Sequence, residues 1–319
     1  MADRKIISII TPCYNEEDNV TACYEAVRRL FEAELAEYDY EHIFSDNCST
    51  DRTVELLKGL AEKDARVKVI VNSRNYGAFH SLFNALMSSR GDAAVAMLAA
   101  DLQDPPELIA DFVNRWAQGY EVVYGVKAKR EEGWLLRSVR RAYYRLVSRL
   151  SNIDIPPDVS EFQLVDRRVV EALREFEDYY PYVRGMIANC GFRSTGVEYT
   201  WKARQRGHTK TSLYRLIDQG LNGLISSTNV PMRLCMFAGF FLSVISILTA
   251  LVHFFVTVFY RLLTSRPVAP PGVPTLIVAI FFFGGVQLFF LGVLGEYISA
   301  IHFQVRKRPL VIERERINF

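Results

Sequence analysis

The sequence predicts an α/β domain with a mostly parallel sheet and flanking helices, followed by a hairpin of two transmembrane helices. Three observations carry this. Short β-branched runs alternate with stretches of helical periodicity in the first part of the chain. A polar motif stands at the exit of each run. Two long segments near the carboxyl end are almost free of charge.

Lys5 to Thr11 (KIISIIT) reads as a buried parallel strand. PCYNEEDN is a loop, and Val20 to Tyr38 has apolar residues at helical spacing. Glu41 to Ser45 is a second strand, ending in DNCSTDRT, with a helix at about Thr53 to Lys63. Val67 to Asn72 is a third strand, and SRNYGAFHSLFNALMSSRG runs from loop into helix. Ala93 to Ala100 is a fourth strand. Glu107 opens a helix behind Pro105 and Pro106, where proline is tolerated. Glu121 to Val126 is a fifth strand. Strands alternating with helices imply right-handed crossovers and a parallel sheet, whose ligands bind outside the carboxyl ends of the strands. PCYNE, DNCSTD, RNYG and DLQDPPE all stand at such ends. One such loop is an ordinary solvated turn; four on one edge favour a site.

Bulk properties narrow the function. A net charge of +2 over 319 residues does not support a nucleic-acid footprint. The five cysteines, Cys13, Cys23, Cys48, Cys190 and Cys235, have no CxxC spacing. That argues against a disulfide framework and a zinc site, and fits a reducing, cytosolic setting. MADRKIISIITP has too short an apolar run for a signal peptide. No GxGxxG follows the first strand, which removes a dinucleotide-binding reading.

Residues 232–303 read as two membrane spans, about 234–260 and 273–301, each longer than the roughly 20 residues that cross a bilayer. Arg261 and Arg266 stand in the connecting turn. Lys202, Arg204, Arg206, Lys210, Arg215 and Arg233 precede the hairpin, and Arg306, Lys307 and Arg308 follow it. The positive-inside rule then places the catalytic part and both termini in the cytoplasm. The resulting division is a catalytic domain at 1–210, a juxtamembrane helix at 211–231, the hairpin, and a tail at 304–319. The juxtamembrane helix, LYRLIDQGLNGLI, suits either a membrane surface or packing on the soluble domain.

The loops suggest chemistry. Asp101 and Gln103, at a strand exit, are hard oxygen ligands suited to Mg²⁺ or Mn²⁺ with a diphosphate completing the shell. Asp46 and Asp51 are anions, so they accept hydrogen bonds from a base or ribose rather than bind phosphate.

PCYNEEDN, DNCSTDRT, RNYG, DLQDPPE, SEFQLVDRR and RQRGHTK, in this order, resemble the inverting glycosyltransferases of family two, with the Rossmann-like GT-A fold. Together with the tail GEYISAIHFQVRKRPL, the pattern is similar to the polyprenyl-phosphate glycosyltransferases of bacteria, the bactoprenol glucosyltransferases, related to dolichyl-phosphate mannose synthase. The resemblance implies a nucleotide-sugar donor, UDP-glucose or another UDP-hexose, and undecaprenyl phosphate as acceptor. It implies direct displacement with inversion, a bacterial inner membrane and a homo-oligomer, a tetramer by analogy. Pro12, Tyr14, Glu16 and Asp46 would line the nucleoside pocket, and Asp51 and Asn75 would also bind substrate. Asp101 and Gln103 would hold the metal, and Arg204 and Lys210 the phosphates. Glu161 and Asp158 are the candidate carboxylates beside the acceptor, as base or as orienting group. The chain departs from the pattern at Ala99, where Asp is usual, at Asn47 and Cys48 in place of Asp-Gly, and at Gln163 and Trp201, where Arg is frequent. The rival readings are a processive polysaccharide synthase and, from Ala99, a catalytically weakened membrane-anchored nucleotide-sugar-binding protein.

Overall fold

A computed structural model describes residues 4–129, 159–179, 181–200, 273–306 and 308–319, and scattered positions between 232 and 263. The chain divides into two units, Met1–Ser226 with Lys307–Phe319, and Ser227–Arg306.

The first unit is built on an eight-stranded sheet of order β7-β5-β6-β4-β1-β2-β3-β8. Its strands are β1 (Ile6–Cys13), β2 (Asp39–Asp46), β3 (Val67–Asn72), β4 (Ala93–Val95), β5 (Val122–Lys129), β6 (Val159–Asp166), β7 (Ser194–Thr200) and β8 (Glu313–Ile317). The helices are α1 (Val20–Ala33), α2 (Thr53–Lys63), α3 (Ala78–Ser88), α4 (Leu108–Ala117), α5 (Arg167–Arg174) and α6 (Val183–Asn189). β1 pairs in parallel with β2 and β4, and β2 with β3. β5 and β7 are also parallel. Only β6 and β8 run against the rest.

Side chains alternate across the sheet and bury both faces, as a parallel sheet requires. Ile7 and Ile9 of β1, Phe44 of β2 and Val69 of β3 join one core with Val27 of α1, Leu57 of α2 and Phe112 of α4. Ile10, Ile43 and Ile70 point to the other face and meet Leu82 and Leu86 of α3, Val170 of α5 and Met186 of α6.

Two elements differ from the sequence expectation. The fourth strand is hydrogen-bonded as strand only over Ala93–Val95. The backbone runs on less regularly, with Ala96 N donating to Gln163 O at 2.7 Å and Leu98 N to Ile10 O at 2.8 Å. β5 does not follow β4 in the sheet, because β6 is inserted antiparallel between them. Local periodicity carries no information about that long-range insertion.

The carboxyl end of the chain returns to this unit. β8 pairs antiparallel with β3, with Glu313 opposite Asn72 and Ile317 opposite Val69. Asn318 Nδ2 donates to Ala61 O and Val67 O at 2.8 and 2.9 Å. Its sequence, ERERI, is too charged to read as a strand alone, but an edge strand tolerates such alternation.

The second unit contains α7 (Val273–Val305), 33 residues long. At about 1.5 Å per residue it exceeds a hydrocarbon core of roughly 30 Å. Phe282–Val305 is apolar enough to cross a membrane, and Leu276, Phe282, Leu288, Phe289 and Ile301 are exposed. The described positions between 232 and 263 are helical, and Phe240, Phe241, Ile245 and Val252 among them are exposed.

At the amino-terminal edge of the sheet a buried charge cluster ties β1, β2, β3 and the turn before β4. Glu41 Oε1 accepts from Ser8 Oγ at 2.6 Å and Arg90 N at 2.7 Å, and Oε2 accepts from Lys68. Burial raises the Glu41 carboxyl, but the Arg90 amide, Lys68 and Ser8 outweigh it and hold it below its usual range. Since the folded value is depressed, this stabilisation is present above the unfolded pKa and is lost as pH falls through the folded one. Glu41→Ala leaves Lys68 charged and buried, and is expected to cost about 3 kcal/mol. Thermal unfolding from pH 7 to pH 3 checks both statements: the gap between parent and variant narrows on acidification.

Candidate active site

β1 to β4 all exit at one edge, so their four loops meet there. The first two are stitched together. Asn15 N donates to Ser49 Oγ at 2.8 Å, Thr50 N to Asn15 Oδ1 at 2.8 Å and Glu16 N to Thr53 Oγ1 at 2.9 Å. This places Asn15 at φ 52° and Cys48 at φ 64°. Asparagine tolerates the left-handed region, whereas cysteine there is strained. A glycine at position 48 would be free of that strain.

The acids of these loops are differently placed. Asp46 is fully buried at the end of β2, where its carboxylate accepts from Ser49 N at 2.9 Å and from the Ser49 hydroxyl. Burial pushes its carboxyl up, and the Ser49 bonds only partly oppose this. Asp51 accepts from Thr53 Oγ1 at 2.6 Å, Thr53 N at 3.0 Å and Glu17 N at 3.3 Å. Burial would raise it, but these bonds prevail and hold it below the usual carboxylate range. Both carboxylates therefore hold the loops in shape. Pro12 pairs with Ser45 in the β1/β2 register, Tyr14 is exposed, and Glu16 Oε2 accepts from Asn19 Nδ2 at 2.5 Å.

The third loop joins through a buried amide network that sequence reasoning missed. Asn47 Oδ1 accepts from Tyr76 N at 2.9 Å and from Asn72 Nδ2 at 3.2 Å. Asn72 Nδ2 also donates to Ser81 Oγ at 3.0 Å. Asn75 is exposed, and its Oδ1 accepts from Gly77 N at 2.9 Å in the turn that starts α3.

In the fourth loop Leu102 takes φ 55°, with its N–H bonded to Ala99 O at 3.1 Å. Asp101 and Gln103 are half-buried, and Gln103 N donates to Asp101 Oδ1 at 3.3 Å. Asp104, one residue on, is buried and turned away. It accepts from the Tyr199 hydroxyl of β7 and pairs with Lys127 Nζ of β5 at 3.5 Å. Among the described residues no three His, Cys, Asp or Glu side chains cluster as a metal cage. The loop offers one carboxylate and one amide, a donor set that fits Mg²⁺ or Mn²⁺ only if a ligand such as a diphosphate adds oxygens.

Beside this loop, β6 enters the same edge carrying Glu161. Its side chain is 20% exposed and pairs with Arg184 Nε of α6 at 3.6 Å. Burial raises its carboxyl, opposed by the charges of Arg184 and Lys127. Arg184 stands at the edge of the site and was not found by sequence reading. Asp158, Arg204 and Lys210 lie outside the described residues.

The family model for glycosyl transferase family 2 matches residues 8–174, more than half of the chain. The chain belongs to glycosyl transferase family 2. The model of the GtrB C-terminal hairpin matches residues 230–301 of this family-2 chain. It is 35% identical to an uncharacterized glycosyltransferase, YkcC, of Bacillus subtilis, over 96% of this chain and 92% of the relative. It is 33% identical to the SfII prophage-derived bactoprenol glucosyl transferase of Shigella flexneri, over 96% of each. Among solved structures, the mannosyltransferase PcManGT of Pyrobaculum calidifontis, in complex with GDP-Man and Mn²⁺, is similar at 19% identity and TM-score 0.47, over 70% of this chain and 64% of that one. This family-2 chain is a glycosyltransferase.

The neighbouring acids Asp101 and Asp104 separate by experiment. Tyr199→Phe removes the hydroxyl donor from buried Asp104 and is expected to cost about 1–3 kcal/mol. Asp101→Asn, in a half-buried turn, keeps an acceptor for Gln103 N and is expected to stay within about 0.5 kcal/mol of the parent. Thermal unfolding in one detergent reads both.

Proposed function

We propose that the protein transfers a hexose from a nucleotide-sugar, with UDP-glucose as donor, to undecaprenyl phosphate at the cytoplasmic face of the membrane, inverting the anomeric configuration. The observation that carries this is the convergence of four polar loops on one sheet edge, where the Asp101–Gln103 loop leaves β4 and the neighbouring β6, with Glu161, begins. The near full-length similarity to a bactoprenol glucosyl transferase supports the acceptor class.

In this reading the stitched first and second loops hold the nucleoside, with Tyr14 exposed for ring contact and Asp46 in the pocket floor. Asp101 and Gln103 would hold a divalent ion, which supplies positive charge for the departing diphosphate. Arg204 and Lys210, outside the described residues, would add charge there. The acceptor phosphate is largely dianionic near pH 7, so it hardly needs a base. Glu161, and Asp158 ahead of it, would instead orient the acceptor. Lys127 and Arg184 offset the Glu161 charge that would otherwise repel a phosphate.

The return of β8 to the sheet supports a membrane hairpin. The segment between Ser227 and Arg306 leaves and re-enters one unit, so any crossings must be even in number. Two spans fit, and the basic flanks favour a cytoplasmic catalytic unit. Confining donor site and lipid head to one surface removes much of the association entropy.

The test is turnover of purified protein with undecaprenyl phosphate, Mg²⁺ or Mn²⁺, and UDP-, GDP- and dTDP-sugars. The expected result is a glycolipid formed with a UDP-hexose, abolished by EDTA and reduced at least about 100-fold in Asp101→Ala. Nucleotide-sugar binding with no product from any donor would instead support the binding-protein reading and make Ala99 the residue that matters.

A further inference from the structure

We infer that Arg184 is a positioning residue for the transfer reaction: mounted by Tyr182 and Gly185 against the start of β6, it fixes the Glu161 carboxylate at the edge of the site. This rests on the reading that Glu161 faces the acceptor.

The mount is built from three neighbouring residues. Arg184 Nε donates to Tyr182 Oη at 2.9 Å, and its Nη2 reaches the same oxygen. The guanidinium also lies over the Tyr182 ring, 5.2 Å from the centroid. That ring packs so closely on the backbone of α6 that a Cβ at Gly185 would lie 2.4 Å from Tyr182 Cδ1. Only glycine leaves room there, so Gly185 places Tyr182 and Tyr182 places Arg184.

The other end of the arginine is what it positions. Nη1 donates to Val159 O at 2.5 Å, and Nε lies 3.6 Å from Glu161 Oε1. One guanidinium thus holds the backbone at β6's entry by a hydrogen bond and lies in ionic contact with the carboxylate two residues on, while the Nε hydrogen goes to Tyr182. The Arg184 side chain is only 14% exposed, which limits solvent screening of the pair. Two described elements present charge to Glu161: α6 through Arg184 and β5 through Lys127. Lys127 is itself shared with Asp104. Arg184 supplies the larger of these two charges at Glu161, and a lysine could not replace its fork. Losing it leaves a largely buried carboxylate with weaker compensation, which moves its ionisation upward.

A double-mutant cycle tests this, measuring kcat/KM against pH for the full-length protein with undecaprenyl phosphate as acceptor. Arg184→Gln is expected to lower activity about tenfold and to move the acid limb up by about half a pH unit or more. In the Glu161→Gln background the same change is expected to cost less than about twofold, because the carboxylate it serves is gone. Arg184→Lys is expected to keep the acid limb of the parent while recovering only part of the activity. Should Arg184→Gln fail to fold, Tyr182→Phe repeats the cycle, since it keeps the ring and removes only the oxygen that Arg184 grips. Equal losses in both backgrounds with an unmoved acid limb would mean that Arg184 only braces β6, and would overturn the proposal alone. A fully active Glu161→Gln would overturn the reading of Glu161, and this proposal with it.

Discussion

β1 lies in the middle of the sheet with β2 and β4 bonded to it in parallel, and β3 extends the same ladder. Parallel pairing forces each strand to exit at the same edge and each return to pass over a face through a helix. Four loops thereby meet without any contact having to recruit them. The apolar faces keep the ladder in register, since a slip by one residue would turn Ile9 and Ile10 to the wrong cores. The site is thus a consequence of strand direction, and the polar residues only finish it.

The fold uses acids of two kinds. Glu41, Asp51 and Asp104 are drawn into hydrogen bonds or ion pairs inside the fold. Their charge holds elements together. Asp101 stands half-buried on a turn with its partner Gln103, and Glu161 on β6 is raised by burial and steadied by cations. A carboxylate fully satisfied within the protein has little left for a ligand.

Much of this was legible in the sequence, and the limits are physical. The runs Lys5 to Thr11, Val67 to Asn72 and Thr53 to Lys63 announce their elements because each periodicity reports a local burial pattern. DLQDPPE was legible as a strand exit because its prolines and acids cannot continue a buried strand. The antiparallel insertion of β6 was not legible, since its partners stand some seventy residues away on β4 and forty on β5. β8 was hidden for another reason: ERERI gains its strand character from the open edge of β3 and from Asn318 capping Ala61 and Val67. Within the site, residue type identified Asp101 and Glu161 as candidates. It could not separate Asp104 from Asp101, because that difference lies in which way a turn with Leu102 at positive φ sends each side chain. Arg184 escaped because a lone arginine on a short helix has no sequence signature.

In the proposed reaction Asp101 and Gln103 receive a diphosphate together with a divalent ion. Calorimetric titration of UDP-glucose into the purified protein, with Mn²⁺ and with EDTA, for the parent and for Asp101→Asn, tests it most directly. The account predicts that binding to the parent weakens at least about tenfold when the ion is removed. It also predicts that Asp101→Asn binds weakly whether or not Mn²⁺ is present. Equal affinity of the parent with and without the ion, unchanged by Asp101→Asn, would contradict it.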